Sequence, residues 1–299
     1  LLDGTNDKIF STLKKEYDIF PFDIETNTSF MGVALQYVNK PEEVEAIFNE
    51  ISTKDMDVES CKYCKYRFYT KALADIELGN YRSALESLKQ VAEKVDDNLL
   101  YEPLFSALIR SDNSLVFDAI IKKLELTKEI EDLEGLYLHI GKENLRLDRI
   151  TEANFYFDKI INTDKLKEIR INKTRASFYK GNYKLTEIEA LELLEQDASN
   201  SIELTSILAT SQIKNGKKEV ALETIEHLKS LKSDFQYGAV DYALGQFYAT
   251  IDNDEKVYAH LLKAVAQGSF YTPETFQNDP IFKKYYSNSR FKEILTFWH

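Results

Sequence analysis

Residues 72–97 read ALADIELGNYRSALESLKQVAEKVDD and contain the pattern that decides the fold. A first helix ends at Gly79, a turn-forming residue, and a second helix follows with the small residue Ala84 near its start. Apolar residues such as Leu88 and Val91 then continue along the second helix at helical spacing. Such a helix pair leaves apolar surface that it cannot bury alone. The stretch therefore predicts an array of similar pairs.

A turn residue followed five positions later by a small or apolar residue recurs along the chain. The turns stand at positions 79, 112, 148, 181, 216 and 252, so successive copies are 33, 36, 33, 35 and 36 residues apart. Seven residues before four of these turns stands a small residue. These are Ala72, Gly141, Ala209 and Gly245. Because two helices approach closely only where a side chain is small, the pattern predicts tightly paired helices.

In these features the chain resembles the tetratricopeptide repeat family, over roughly residues 65 to 269 and in about six copies. The large aromatic residue of the fourth repeat position is present as Phe68 and Tyr137, but other copies lack it. The proline that often ends a repeat is missing. Pro103 falls in the first helix of the irregular copy around Asp112, where it predicts a kink or a late helix start.

The resemblance implies an all-α fold, a right-handed superhelix (α-solenoid) of about seven antiparallel helix pairs with helical caps. The predicted divisions are an N-terminal cap, a degenerate helix pair with its connection, the repeat array and a C-terminal helical cap. They cover residues 1–27, 28–64, 65–269 and 270–299. The last segment, with Asp279-Pro280 and Arg290-Phe291, resembles those that close such arrays in bacterial signalling and regulatory proteins. Trp298 is predicted to belong to the core of this cap.

Composition limits the classes of function. The chain has 299 residues, 43 % of them apolar, with only 10 Gly and 5 Pro, which favours an all-helical protein. Its net charge of −12 argues against nucleic-acid binding. No apolar run is long enough for a membrane segment within the chain. Because the chain starts at Leu1 and not at Met, we expect an upstream domain, anchor or signal peptide, and we favour a soluble, cytoplasmic location slightly over a periplasmic one.

Two cysteines, Cys61 and Cys64, form a CxxC pair. Two are too few for a disulfide framework or a four-thiolate zinc site. The favoured interpretation is that both thiols are early residues of a helix, with redox or metal chemistry as the alternative. The chain has no GxGxxG, GxxxxGK, HExxH or GxSxG motif, and its four histidines are scattered. We therefore predict a non-enzyme without a cofactor or catalytic metal.

The resemblance also implies a concave groove lined by the first helices of successive pairs. Ten residues are predicted to face it by repeat register: Tyr66, Tyr69, Arg110, Lys142, Arg146, Arg175, Tyr179, Lys214, Tyr242 and Gln246. Basic and tyrosine side chains in an acidic protein suit an acidic peptide or a carboxylate. The alternative is that these lysines and arginines only keep exposed helices soluble. Leu73 replaces the asparagine of the chaperone-binding clamp, so that mode is not expected.

The sequence thus predicts a non-enzymatic scaffold that binds a protein or peptide, through a groove suited to an acidic segment. Three alternatives remain open. In the first, the chain is a sensory or regulatory region of a larger bacterial signalling or transcription-regulating protein. In the second, it is a helical enzyme with an unrecognised site. In the third, it is a self-associating array. An enzyme would have a deep closed pocket with convergent acids in place of an open groove.

Overall fold

The computed structural model describes residues 5–51, 61, 63–92, 98–162, 171–196, 201–234, 236–269 and 271–296. Within these ranges the regular elements are all helical. The α-helices are α1 (Thr5–Ile19), α2 (Ile24–Gln36), α3 (Pro41–Glu50), α4 (Cys64–Glu77), α5 (Tyr81–Ala92), α6 (Asn98–Arg110), α7 (Ser114–Thr127), α8 (Ile130–Arg146), α9 (Ile150–Ile161), α10 (Ile171–Tyr179), α11 (Tyr183–Gln196), α12 (Ile202–Lys214), α13 (Lys218–Ser230), α14 (Ala239–Thr250), α15 (Asp254–Ala266) and α16 (Ser289–Thr296). Two 3₁₀ segments are η1 (Phe276–Asn278) and η2 (Pro280–Tyr285).

The chain folds into two compact units. Unit 1 takes its described residues from 1–128, 270–275 and 295–299, and unit 2 from 129–269 and 276–294. The segment after residue 269, predicted as one C-terminal cap, therefore contributes to both units. Trp298 lies outside the described residues. No helix in the described part of the chain is long and apolar enough to cross a membrane.

All six predicted turn positions adopt left-handed backbone geometry. Their φ values are 76° at Gly79, 54° at Asp112, 60° at Asp148, 83° at Gly181, 81° at Gly216 and 59° at Asp252. The residue after each turn donates its backbone N–H to the carbonyl five residues earlier, with N···O distances of 2.7 to 3.0 Å. This bond pattern ends an α-helix and reverses the chain, and glycine or aspartate tolerates the positive φ that it needs. The repeat period read from the sequence is thus confirmed as a repeated helix-ending motif.

Unit 1 is built from helix pairs that share one core. The first helices α2, α4 and α6 pack side by side, while α3, α5 and α7 follow them. Phe30, Met31 and Phe68 lie in this core. Arg67 is also fully buried there and donates to the Phe48 carbonyl at 3.0 Å. Pro103 lies inside α6, so the predicted late start of that helix does not occur.

Unit 2 contains four consecutive pairs, α8–α9, α10–α11, α12–α13 and α14–α15. The first helices of neighbouring pairs contact one another in order. A Cβ added to Gly141 would lie 2.2 Å from Phe157 Cε1, and one added to Gly245 would lie 3.0 Å from Leu261 Cδ2. The small residues predicted at the helix crossings are therefore needed there. Consecutive helix pairs with these crossings confirm the all-α solenoid class.

Residues 276–294 pack against the first helices of unit 2. The η2 segment contacts α8 and α14, and Phe276, Phe282 and Phe291 are fully buried. Asp279 accepts a hydrogen bond from the Ile281 backbone at 3.0 Å and begins η2, with Pro280 as its first residue. The segment therefore forms part of the core of unit 2.

Candidate functional site

The candidate site in unit 2 lies on the first helices of successive pairs. Lys142 and Arg146 belong to α8, Arg175 and Tyr179 to α10, Lys214 to α12, and Tyr242 and Gln246 to α14. Lys142 Nζ lies 5.4 Å from the centre of the Tyr179 ring, a cation–π distance. Tyr179 and Gln246 also border the same small space beside Ile281. The structure thus brings Lys142, Tyr179 and Gln246 to one side of unit 2.

Asp279 from the chain's own C-terminal segment stands at the centre of this group. Its Oδ2 accepts hydrogen bonds from Tyr242 Oη at 3.0 Å and from Gln246 Nε2 at 2.7 Å. The residue is only 1 % exposed. Burial raises the pKa of Asp279 above its usual range, although the nearby Lys142 and the hydrogen bonds act in the opposite direction. Burial and this carboxylate also raise the pKa of Tyr242 well above its ordinary value.

Two lysines of the same segment bind the turns that join helices. Lys283 Nζ forms an ion pair with Asp148 and donates to the Leu145 carbonyl at 3.3 Å. Lys284 pairs with Asp252. The space that remains beside Ile281 is about 20 Å³, room for one water molecule. The segment therefore fills this part of the candidate site.

The other predicted cations of unit 2 also have partners within the chain. Arg175 forms a two-pronged ion pair with Glu203, with N···O distances of 2.7 and 2.5 Å. Arg146 Nε lies 3.6 Å from Glu143 Oε2. Lys214 Nζ donates to a backbone carbonyl, that of Thr250, at 2.6 Å. Each of these three basic side chains is therefore at least partly compensated within the chain.

The three predicted residues of unit 1 differ in exposure. Tyr66 is exposed, and Lys65 Nζ lies 5.1 Å from its ring centre. Tyr69 packs against the core of the unit, and burial raises the pKa of its phenol. Arg110 lies 3.9 Å from Glu77 with its side chain almost fully buried. Only Tyr66 presents a large part of its side chain to solvent.

A second buried aspartate in unit 2 was not predicted. Asp241 occupies the fourth repeat position, where two other copies of the repeat have the aromatic residues Phe68 and Tyr137. Its carboxylate lies 2.8 Å from His260 Nδ1 and accepts hydrogen bonds from Lys232 at 2.8 Å and Gln267 at 2.9 Å. Burial alone would raise the pKa of Asp241, but these hydrogen bonds outweigh it and hold the pKa well below its usual range. A polar residue at an aromatic position was the signal for this cluster.

Cys61 and Cys64 are joined by a disulfide bond. Cys64 is the first residue of α4, so its predicted position early in a helix is correct, whereas Cys61 precedes the helix. The favoured interpretation of two plain thiols is wrong, because the pair is oxidised in the structure. In the described residues, no group of three or more His, Cys, Asp or Glu side chains is arranged to hold a metal ion.

Comparison with known proteins finds similarity among solved structures. No protein-family model matches the chain, and no curated protein matches it. The solved structures include a tetratricopeptide repeat protein from Parabacteroides merdae that is 14 % identical, with a TM-score of 0.48, over 97 % of this chain and 98 % of that chain. The repeat architecture itself stands on the six turns and the helix pairs described above.

Proposed function

We propose that the chain is a non-enzymatic protein-binding scaffold, and that the concave residues of unit 2 recognise an acidic segment of a partner. The observation that carries this proposal is that the first helices of unit 2 bind Asp279, a carboxylate of the chain itself. An extended residue with a carboxylate, followed by proline and apolar residues, is held there by Tyr242 and Gln246 beside the charge of Lys142. The same helices can supply this chemistry to a segment of another protein.

The exposed cations of this face are the points where a partner's carboxylate would bind. Arg175 and Glu203 have side chains that are 28 % and 46 % exposed, and an ion pair in such a position contributes little stability. A partner carboxylate can therefore replace Glu203 at small cost and keep the two-pronged geometry that arginine favours. Lys214, held by a carbonyl group, gains a full charge partner by the same exchange.

The proposal includes residues of both units, each considered within its own unit. In unit 2, Arg146, Arg175 and Lys214 supply charge, while Lys142, Tyr179, Tyr242 and Gln246 form the part already filled by the Asp279 segment. In unit 1, Tyr66 would contribute an exposed ring, whereas Tyr69 and Arg110 are more deeply buried. Tyrosine and arginine are the side chains that most often dominate binding energy at protein interfaces.

The test is a quantitative pulldown from native lysate with the charge-reversed variant Arg146→Glu/Arg175→Glu. Lys184→Glu/Lys218→Glu is the matched control, because it makes the same charge change at exposed positions of the second helices α11 and α13. Relative to the wild type, we expect the amount of a partner recovered to fall by about tenfold or more with the first variant and to be unchanged with the second.

The partner's acidic segment, made as a labelled peptide, should then bind the wild type in a fluorescence polarisation assay. Its affinity should fall with added salt, since exposed charges are screened. Circular dichroism establishes that the variants remain helical. Equal loss of the partner with both double variants, or equal retention by both, would contradict the proposed site.

A further inference from the structure

An apolar groove of about 590 Å³ lies within unit 1, between α5, α6 and α7. Six of the ten described lining residues are aliphatic, and the other four are two lysines, an asparagine and a tyrosine. The lining residues are Leu85, Lys89, Tyr101, Leu104, Leu108, Asn113, Val116, Ile120, Lys123 and Leu124. None of them is among the residues assigned to the proposed protein-binding face. The volume falls within the range of about 300–1,000 Å³ that is usual for small-molecule sites.

The sequence explains why this groove exists. At the crossing of α4 and α5 the eighth and twentieth repeat positions are Ala72 and Ala84, which let the two helices approach closely. The α6–α7 pair has Phe105 and Phe117 at the same two positions. Their ring centres are 4.9 Å apart with the planes at 84°. The helices α6 and α7 contact each other less extensively than α4 and α5 do, as expected when two rings stand at a helix crossing.

The charged residues of the groove lie at one of its ends. Because α6 and α7 are joined by the Asp112 turn, Leu108 and Val116 lie near the turn end. Tyr101 and Lys123 lie towards the opposite end. Lys89 belongs to the same opposite end, since it stands in the last turn of α5.

The charged end is basic although the chain is acidic. Lys128 adds a third ammonium group there, 5.8 Å from the ring centre of Tyr101. Among the described residues that line the groove, two are lysines and none is Asp or Glu, in a chain of net charge −12. Apolar walls with cations at one end match a ligand that has an alkyl chain and a single anionic head.

We propose that this groove binds a free fatty acid. The alkyl chain would lie against Leu104, Leu108 and Ile120, and the carboxylate would lie near Lys89 and Lys123. Apolar burial would provide most of the affinity, and the lysines would select a carboxylate over a neutral or cationic head. The site is independent of the proposed protein-binding function, and the two can fail separately.

The test is isothermal titration calorimetry of the full chain with monomeric dodecanoate, dodecan-1-ol and dodecylamine at neutral pH. We expect dodecanoate to bind with a dissociation constant of about 1–50 μM, the alcohol more weakly and the amine weakest. Shortening the acid from twelve to ten carbons should weaken binding by about tenfold, because two fewer CH₂ groups are buried. Absence of dodecanoate binding, or equal affinity for all three heads, would overturn the proposal.

Two pairs of neighbouring substitutions locate the site. Val116→Trp fills the groove from a residue that is 44 % exposed, whereas Leu115→Trp changes a residue that is 84 % exposed and outside the lining. Lys123→Glu reverses a lining charge, and Lys122→Glu reverses the exposed charge beside it. All four positions are on the surface of α7, so the variants are expected to fold, which thermal unfolding verifies.

Val116→Trp should weaken dodecanoate binding by about tenfold or more, and Leu115→Trp should leave it within about twofold. Lys123→Glu should weaken the binding of dodecanoate by about fivefold without affecting the binding of dodecan-1-ol. Lys122→Glu should change neither affinity by more than about twofold. Binding that responds equally to both members of either pair would show adhesion elsewhere on the chain and would overturn the proposal.

Discussion

The α6–α7 pair of unit 1 and the α8–α9 pair of unit 2 follow the same repeat register but fill the space between their helices differently. In α8–α9, Gly141 and Ala153 stand at the crossing, and the ring of Phe157 lies directly over the glycine. In α6–α7, Phe105 and Phe117 occupy the two crossing positions and the neighbouring groove stays open. The pair with small residues at both crossing positions is closely packed, and the pair with two rings at those positions borders a groove.

The side of unit 2 on which residues 276–294 pack against α8 and α14 extends this contrast. There the chain fills its own space with the segment 276–294, whose phenylalanines are fully buried and whose Asp279 is held by Tyr242 and Gln246. In the described part of unit 1, the groove beside α7 has no such occupant. A filled space contributes to stability, whereas an open apolar space remains available to a ligand.

The largest expected effect tests the filled space. Phe282→Ala removes a fully buried ring of η2, so the free energy of unfolding of unit 2 should fall by about 3–5 kcal/mol. Val116→Ala in the open groove should change stability by less than about 1 kcal/mol, because this side chain is already partly exposed. Urea unfolding followed by circular dichroism measures both. Similar losses for the two variants would show that the comparison is wrong.

A smaller effect is expected at the α8–α9 crossing. Gly141→Ala places a methyl group 2.2 Å from Phe157 Cε1, so we expect a loss of about 1–3 kcal/mol despite the better helix propensity of alanine. Gly135→Ala, in the same helix, has no atom within 4 Å of the new methyl and should stabilise the protein by about 0.5–1 kcal/mol.

The double variant Gly141→Ala/Phe157→Leu sharpens this prediction. If the ring of Phe157 is what the new methyl meets, the two substitutions together should destabilise by less than the sum of their separate effects. Unfolding free energies of the four proteins in this cycle give the coupling. Strict additivity would mean that the loss at Gly141 has another cause.

Much of the fold could be predicted because the helix-ending chemistry is local. Glycine or aspartate at positions 79, 112, 148, 181, 216 and 252 tolerates a positive φ, and each of these residues ends a helix. Small residues at helix crossings are equally local signals. The effect of Phe105 and Phe117 was visible only as a poor copy of the repeat, because the groove depends on how three helices pack together.

The candidate site was less predictable, because the register gives positions but not partners. It placed Tyr242 and Gln246 on the concave side of unit 2, but it could not show that Asp279 from 33 or more residues away would bind them. The disulfide between Cys61 and Cys64 likewise depends on the geometry before α4. Contacts between distant segments are set by tertiary packing, and composition and period do not encode them.

The last and smallest effect concerns the charge of Asp279 inside the filled space. Its pKa is raised, so the folded protein binds a proton at pH values where the unfolded chain has released it. The free energy of unfolding should therefore fall as the pH rises from the ordinary pKa of aspartate through the raised value. One proton limits this slope to about 1.4 kcal/mol per pH unit.

Asp279→Asn keeps the shape and the acceptor oxygen but removes the titration. We expect the stability of the wild type minus that of Asp279→Asn to decrease with rising pH over this window, as measured by urea unfolding at closely spaced pH values. The pKa of Asp241 is lowered, so its effect on stability lies at lower pH. Its contribution to the free energy of unfolding is lost as the pH falls from the ordinary pKa of aspartate towards the lowered value. A flat or rising difference would mean that the ring of donors around Asp279 compensates its burial fully, and that a charged carboxylate is accepted in this space without loss of stability.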